Sequence, residues 1–218
     1  NVFIEKPLAE NTKDANELTR LSKKYRKILM VGHIFRFHPI VKELKSMFAK
    51  KSNRPYCVRG EFVSPIDTWK KGKDASLDNL HFFDILDCLF EKTPKIISSC
   101  ETGKVTMVRL RYNDVADVVL ELGWRAKEKE RILDFYLDDK IIHCDFKRNY
   151  IQIRGNEKKK TYDLKISPLE MELRTFIELL NKKNLPYASG DVGTRIVSIA
   201  SQVGGEAKRK VARLKNLF

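Results

Sequence analysis

The sequence predicts a short α/β segment followed by an α+β domain whose sheet is mainly antiparallel. Three observations predict it. Up to about residue 50, apolar runs of strand length alternate with stretches of helical spacing, the logic of a parallel sheet with crossover helices. From Val105 to Phe146, runs of strand composition follow one another across short connections, which favours antiparallel pairing. Two stretches of helical periodicity then close the chain.

The opening VFIEKPL is an apolar run closed by Pro7 and reads as a buried strand ending in a turn. Asn11 is placed to start a helix with Asp14 at its third position, and Leu18, Leu21 and Tyr25 share a face. Ile28–Val31 reads as a second buried strand, stopped by Gly32. After His38-Pro39, the residues Ile40, Val41, Leu44, Met47 and Phe48 repeat at helical spacing, and Pro suits a first helical turn. The stretch KKSNRP over Lys50–Pro55 marks a seam, giving one segment over 1–50 and a second domain over 51–218.

Past the seam, Tyr56–Val63 and Lys95–Ser99 read as strands on either side of a Phe- and Leu-rich helix around Leu80–Phe90. Val105–Tyr112, Val118–Trp124, Arg131–Leu137 and Lys140–Phe146 are the consecutive strands, turning at Asn113-Asp114 and Asp138-Asp139 among others. Tyr150–Arg154 and Lys160–Ile166 add a hairpin around Gly155-Asn156. Ser167-Pro168-Leu169-Glu170 then supplies an N-cap, a Pro at the first helical position and a Glu at the third. The face expected to be buried in that helix is Leu169, Leu173, Phe176, Ile177 and Leu180. The last helix starts near Asp191 and turns Val192, Ile196, Ile199, Ala200 and Val203 inward. Gly204-Gly205 is expected to interrupt or end it, before a basic tail.

Composition narrows the function classes. With 42% hydrophobic and 33% charged residues, the chain has the balance of a soluble globular protein. Its length suffices to bury roughly 70% of the surface exposed on unfolding. No apolar run reaches the ~20 residues of a membrane-spanning helix, and the N-terminus lacks a secretory pattern. Asn1 in place of an initiator Met is what a fragment or a trimmed product shows. Cys57, Cys88, Cys100 and Cys144 lie apart, without a CxxC pair. That argues against a disulfide framework or a zinc site, and fits the reducing cytoplasm. No metal is expected.

The net charge of +14 gathers in short runs at Lys50-Lys51, Lys70-Lys71-Lys73, Lys158-Lys159-Lys160 and Lys208-Arg209-Lys210. Such runs either attract nucleic acid and phosphorylated ligands or belong to solvated turns. These are separate, interleaved with acidic residues and unaccompanied by an RNA-binding aromatic motif, so nucleic acid is not an expected partner.

Three constellations carry chemistry. Glu5-Lys6-Pro7 lies at the carboxyl end of a strand, where ligands of open α/β sheets sit; Lys6 there is either a substrate contact or an ordinary turn lysine. In Gly32-His33-Ile34-Phe35-Arg36-Phe37-His38-Pro39, Arg36 offers paired donors to anionic or polyol groups, while Phe35, Phe37, His33 and His38 suit structural roles. In Asp78-Asn79-Leu80-His81-Phe82-Phe83-Asp84, His81 and Asp84 share a helix face and Asp78 lies one turn earlier. An imidazole held by a carboxylate can take the proton of an alcohol as its hydride leaves; a capped helix with a satisfied histidine is the plainer alternative.

Taken in order, EKPL after one strand, GHxxRFxP after the next and HxxD opening a helix resemble the Gfo/Idh/MocA family, the glucose–fructose oxidoreductase and inositol dehydrogenase relatives. Pro94-Lys95-Ile96-Ile97, the strand ending in Trp124, and Pro168-Leu169-Glu170 through Asn184-Leu185-Pro186 and Ser189-Gly190-Asp191 extend the resemblance along nearly the whole chain.

The resemblance implies an NAD(P)-dependent oxidoreductase acting on a sugar, cyclitol or nucleotide sugar. Lys6 would sit between nicotinamide and substrate, His81 would be the acid/base, and Glu5, Pro7 and Arg36 would border the cofactor. Lys6, Arg36, Asp78 and His81 would face the substrate. It also implies that 1–50 is the end of a Rossmann domain, and that the open face of an antiparallel sheet, with helices on its other side, builds a homo-oligomer. Two departures stand out. None of the ten glycines forms a GxGxxG, so the pyrophosphate cradle of NAD or NADP is not in this sequence. Leu77 occupies the position four before His81 where many relatives carry Asp, and Asp78 lies three before it. The expected function is therefore the C-terminal part of such an enzyme, inactive alone. The alternative is a non-catalytic relative serving in binding or assembly.

Overall fold

The computed structural model describes residues 1–68, 74–127, 129–155, 158–181 and 187–215. Strands β1 (Val2–Glu5) and β2 (Leu29–Gly32) pair in parallel, with Glu5 opposite Gly32 at their carboxyl ends. The crossover is helix α1 (Thr12–Lys24), started by Asn11, whose side chain accepts the Asp14 N–H at 2.9 Å. Its buried face centres on Ala15 and Thr19; Tyr25, expected to join that face, follows the last turn and is 60% exposed. A 3₁₀ turn over Ile34–Phe37 leads from β2 into α2 (Pro39–Phe48).

Parallel strands need cover on both faces. One face of this pair packs Leu29 and Val31 on Ala15 of α1 and Val197 of the last helix, α6 (Gly190–Lys215). The other packs Met30 on Leu179 of α5 (Pro168–Asn181), and Phe3 meets Phe176 at 5.6 Å. The start of α5 is as expected, with Ser167 Oγ accepting the Glu170 N–H at 3.1 Å. Its orientation is not. Leu169, Leu173, Ile177 and Leu180 are 42–59% exposed, and the helix buries Glu172 and Leu179 instead, with Phe176 half-buried.

The larger sheet has eight strands: β3 (Cys57–Pro65), β4 (Lys95–Glu101), β5 (Val105–Tyr112), β6 (Ala116–Ala126), β7 (Glu130–Tyr136), β8 (Ile141–Asp145), β9 (Tyr150–Arg154) and β10 (Lys158–Thr161). They run in the order β10-β9-β8-β7-β3-β6-β5-β4, and only β3 and β6 pair in parallel. The last strand covers Lys158–Thr161 rather than Lys160–Ile166, and Asn156 of its turn lies outside the described residues, as do Lys70, Lys71, Lys73 and Asn184-Leu185-Pro186.

One face packs Val58, Phe62, Leu120, Leu133 and Phe135 against α2, α6 and α4 (His81–Phe90). The other exposes Arg59, Met107, Arg109 and Val119. A short helix α3 (Ala75–Asp78), capped by Asp74, precedes α4. Helix α6 runs unbroken through Gly204-Gly205. Gly204 is there for close approach: a Cβ on it would stand 2.8 Å from Asp74 Oδ2. Among the described residues, no helix is long and apolar enough to cross a membrane.

Candidate active site

The placement of His81 begins with a glycine. A Cβ on Gly60 of β3 would stand 2.5 Å from Leu133 Cδ2 and 3.1 Å from Phe82 Cε2, so its absence lets Phe82 settle α4 onto the middle of the sheet. His81 opens that helix. Its half-buried ring lies edge-on to Phe35 at 5.1 Å and tilted over Phe62 at 5.0 Å. Lys6 arrives from the end of β1, after which the Lys6-Pro7 peptide is cis, and its Nζ donates to the Asp78 carbonyl at 2.7 Å. The two strand ends and the start of α4 thus converge.

His81 makes no hydrogen bond among the described residues. Burial pushes its imidazole well below the usual histidine range, and the positive charge of Lys6, His33, Arg131 and Lys129 acts in the same direction. The ring is therefore neutral at neutral pH, the form that accepts a proton.

The carboxylate expected beside it is committed elsewhere. Asp84 Oδ1 accepts Arg36 Nε at 2.6 Å, and Arg36 Nη2 donates to Asp87 Oδ2 at 2.7 Å. Asp87 also binds Arg195 at 2.5 and 2.9 Å. Burial works against the Arg36 charge, but Asp84 and Asp87 more than offset it and hold its pKa above the ordinary value. Arg36 is 4% exposed. Its paired donors are filled from within, so it supports α4 from behind rather than facing the cleft as the sequence reading expects. Asp78 meets Lys6 through its main-chain carbonyl, and Glu5 and Pro7 flank Lys6 at the surface.

Of the two histidines in Gly32–Pro39, His38 is hydrogen-bonded within the fold. His38 Nδ1 accepts the Ile40 N–H at 3.2 Å, so the proton lies on Nε2, which donates to Asn149 Oδ1 at 3.1 Å. His33 differs: it is 1% exposed, neither nitrogen has a hydrogen bond among the described residues, and Nδ1 stands 3.5 Å from Asp84 Oδ1.

Three contributors are not visible in the sequence reading. Phe62 lies under His81, and Arg131 lies over Phe62 with its guanidinium carbon 3.6 Å from the ring centre. Alternation on β3 and β7 places both on the core face, a signal that marks burial without marking function. The third is Glu172, fully buried, with both carboxyl oxygens lacking a hydrogen bond among the described residues. Burial, with Glu5 and Asp84 nearby, pushes its pKa up to about 8. Among the described residues no group of three His, Cys, Asp or Glu side chains is arranged to hold a metal.

The same arrangement of strands and helices occurs in solved oxidoreductases. UDP-N-acetylglucosamine 3-dehydrogenase from Acidithiobacillus ferrooxidans superposes with a TM-score of 0.85 at 21% identity, over 95% of this chain and 70% of that one. The fold is that of the Gfo/Idh/MocA oxidoreductases. By sequence, that dehydrogenase is 23% identical over 221 residues, covering 92% of this chain and 69% of its own length. Aldose-aldose oxidoreductase from Caulobacter crescentus, complexed with glycerol, gives a TM-score of 0.83 at 12% identity over 96% of this chain and 70% of that one. A 3-ketoreductase from Actinomadura kijaniata, in complex with TDP-benzene and NADP, gives 0.76 at 13% identity over 93% and 69%. No family model matches the chain.

Proposed function

We propose that the chain is the substrate-binding and assembly part of an NAD(P)-dependent oxidoreductase that oxidises a hydroxyl of a sugar, cyclitol or nucleotide sugar, with a nucleotide sugar favoured. The observation that carries it is the pairing of His81, neutral and free to accept a proton, with the Lys6 ammonium group at a strand end. The nucleotide-sugar preference rests on the dehydrogenase likeness and on the positive charge around His81.

The residues suit one end of a dinucleotide. The carboxyl ends of β1 and β2 meet there, and His33 and Glu172 are buried with polar atoms that lack partners. Glu5, Lys6 and Pro7 would border the nicotinamide. Nothing in the sequence suits the pyrophosphate, which needs a glycine-rich turn at a helix start. When bound, the cofactor supplies the hydride acceptor. The chain supplies the rest: Lys6 orients the hydroxyl and lowers the cost of its developing negative charge, and His81 Nδ1 or Nε2 takes the proton. We assign 1–50 to the dinucleotide side and 51–218 to the substrate side. The open face of the large sheet, with Met107 and Val119 exposed, would join copies of the chain.

The test is turnover in the enzyme complete with a dinucleotide-binding half. His81→Ala is expected to lower kcat by ~10²–10⁴, the usual contribution of a general base, and a loss below tenfold would remove His81 from this role. A base with a lowered pKa also leaves kcat/KM flat down to pH values below ~6.5, the ordinary histidine midpoint.

A further inference from the structure

Arg131 is 6% exposed, and among the described residues its guanidinium has no ion pair with a carboxylate. Its bonds go to neutral acceptors. Nη1 donates to the Glu130 carbonyl at 2.6 Å and to the Val63 carbonyl, and Nη2 donates to Ser64 Oγ at 2.8 Å. Arg36, equally buried, has Asp84 and Asp87. The contrast matters because an ion withdrawn from water without a counter-charge is costly to the fold. Burial brings the Arg131 pKa down to about 10 against a weak opposing pull from Glu130. Lys129, two residues earlier, is lowered by its own partial burial and by repulsion from Arg131 and Lys147. Arg131 and His81 both contact the Phe62 ring, and the Arg131 charge acts on the proposed base.

We propose that Arg131, with Lys129 beside it, is an anion subsite, and that the substrate carries an oxyanion close to the hydroxyl that faces His81. The proposal rests on the dehydrogenase reading only for what the anion is attached to. The oxyanion is a sugar carboxylate or a phosphate, two groups alike in charge and acceptor geometry. Its arrival supplies the counter-charge that Arg131 lacks among the described residues. It also moves His81: Lys6 after β1, Lys129 and Arg131 face that ring with positive charge, with the buried His33 after β2 beside them, so a bound anion raises the pH at which His81 protonates.

The experiment is an imidazole NMR titration of the whole chain, with the His81 signal identified in an H81N variant. D-glucuronate and inorganic phosphate serve as separate probes, and neither measurement needs cofactor or turnover. Saturable binding of one probe is expected, with the His81 midpoint shifted to higher pH, and the probe that binds names the oxyanion. Arg131→Met is expected to weaken binding tenfold or more and to abolish the shift, while Arg131→Lys retains part of both. Should Arg131→Met fail to fold, Lys129→Ala, at an exposed site, is expected to weaken binding several-fold. No saturable binding to the wild-type chain, or undiminished binding in the folded variants, overturns the proposal. Turnover of a neutral sugar without anion binding would overturn it and leave the dehydrogenase reading standing; anion binding without turnover would do the reverse.

Discussion

At the rear of α4, Asp84 and Asp87 meet Arg36 and Arg195 at 2.5–2.9 Å, every charge answered by its opposite. At the front, His81 is faced by Lys6, Lys129 and Arg131, and Arg131 has only neutral acceptors among the described residues. The start of this short helix is thus surrounded by positive charge, while its following turns pair their carboxylates with arginines. An arginine stands on each side, Arg36 paired with carboxylates and Arg131 bonded to neutral acceptors. What differs is whether the partner lies within the chain.

The largest effect is expected at the rear. Asp87→Ala leaves Arg36 without one partner and Arg195 without both its bonds, and breaking a buried pair costs about 3–5 kcal/mol. Urea unfolding measures it, and a loss below about 1 kcal/mol would erase the distinction between the two ends.

Glu172 offers an intermediate case, a buried acid beside Glu5 and Asp84 with no hydrogen-bond partner among the described residues. Its folded pKa of about 8 is raised above the unfolded value of 4.5, so the folded state binds the extra proton. Stability is then highest below pH ~4.5 and falls as pH rises toward 8, where the folded carboxyl finally ionises. Glu172→Gln removes this dependence. It is expected to be more stable than the wild type by roughly 4 kcal/mol at pH 8, at ~1.4 kcal/mol per pKa unit, and the gain should vanish near pH 4. Melting curves at the two pH values decide it, and equal differences at both would show that the carboxyl is solvated.

The smallest effect belongs to the front. Lys129→Ala, at an exposed residue, should change stability by no more than about 0.5 kcal/mol, sharpening the view that its charge is kept for something other than the fold.

Much of this was legible in the sequence because local rules determine it. Asn11, Ser167 and His38-Pro39 announce helix starts through capping groups within three residues, and the structure shows each bond. The strand ends bearing Lys6 and the helix start bearing His81 are likewise local. The partner of Asp84 was not legible. Spacing on α4 puts it near His81, but Arg36, from a segment 48 residues away, claims it.

The face of α5 was misread for a similar reason. Its apolar stripe of Leu169, Leu173, Ile177 and Leu180 satisfies helical periodicity, yet Met30, Phe3 and the 3₁₀ turn lie against its other side. Leu173→Ala should accordingly cost no more than about 0.5 kcal/mol in an unfolding experiment, far below the 2–5 kcal/mol of a core leucine.

The outermost strand has a consequence for how copies of this chain can meet. All four residues of β10, Lys158-Lys159-Lys160-Thr161, are exposed, and three are lysines. Two such borders brought side by side would set ammonium against ammonium along the whole seam, so the sheet is fenced against lengthening by lateral addition.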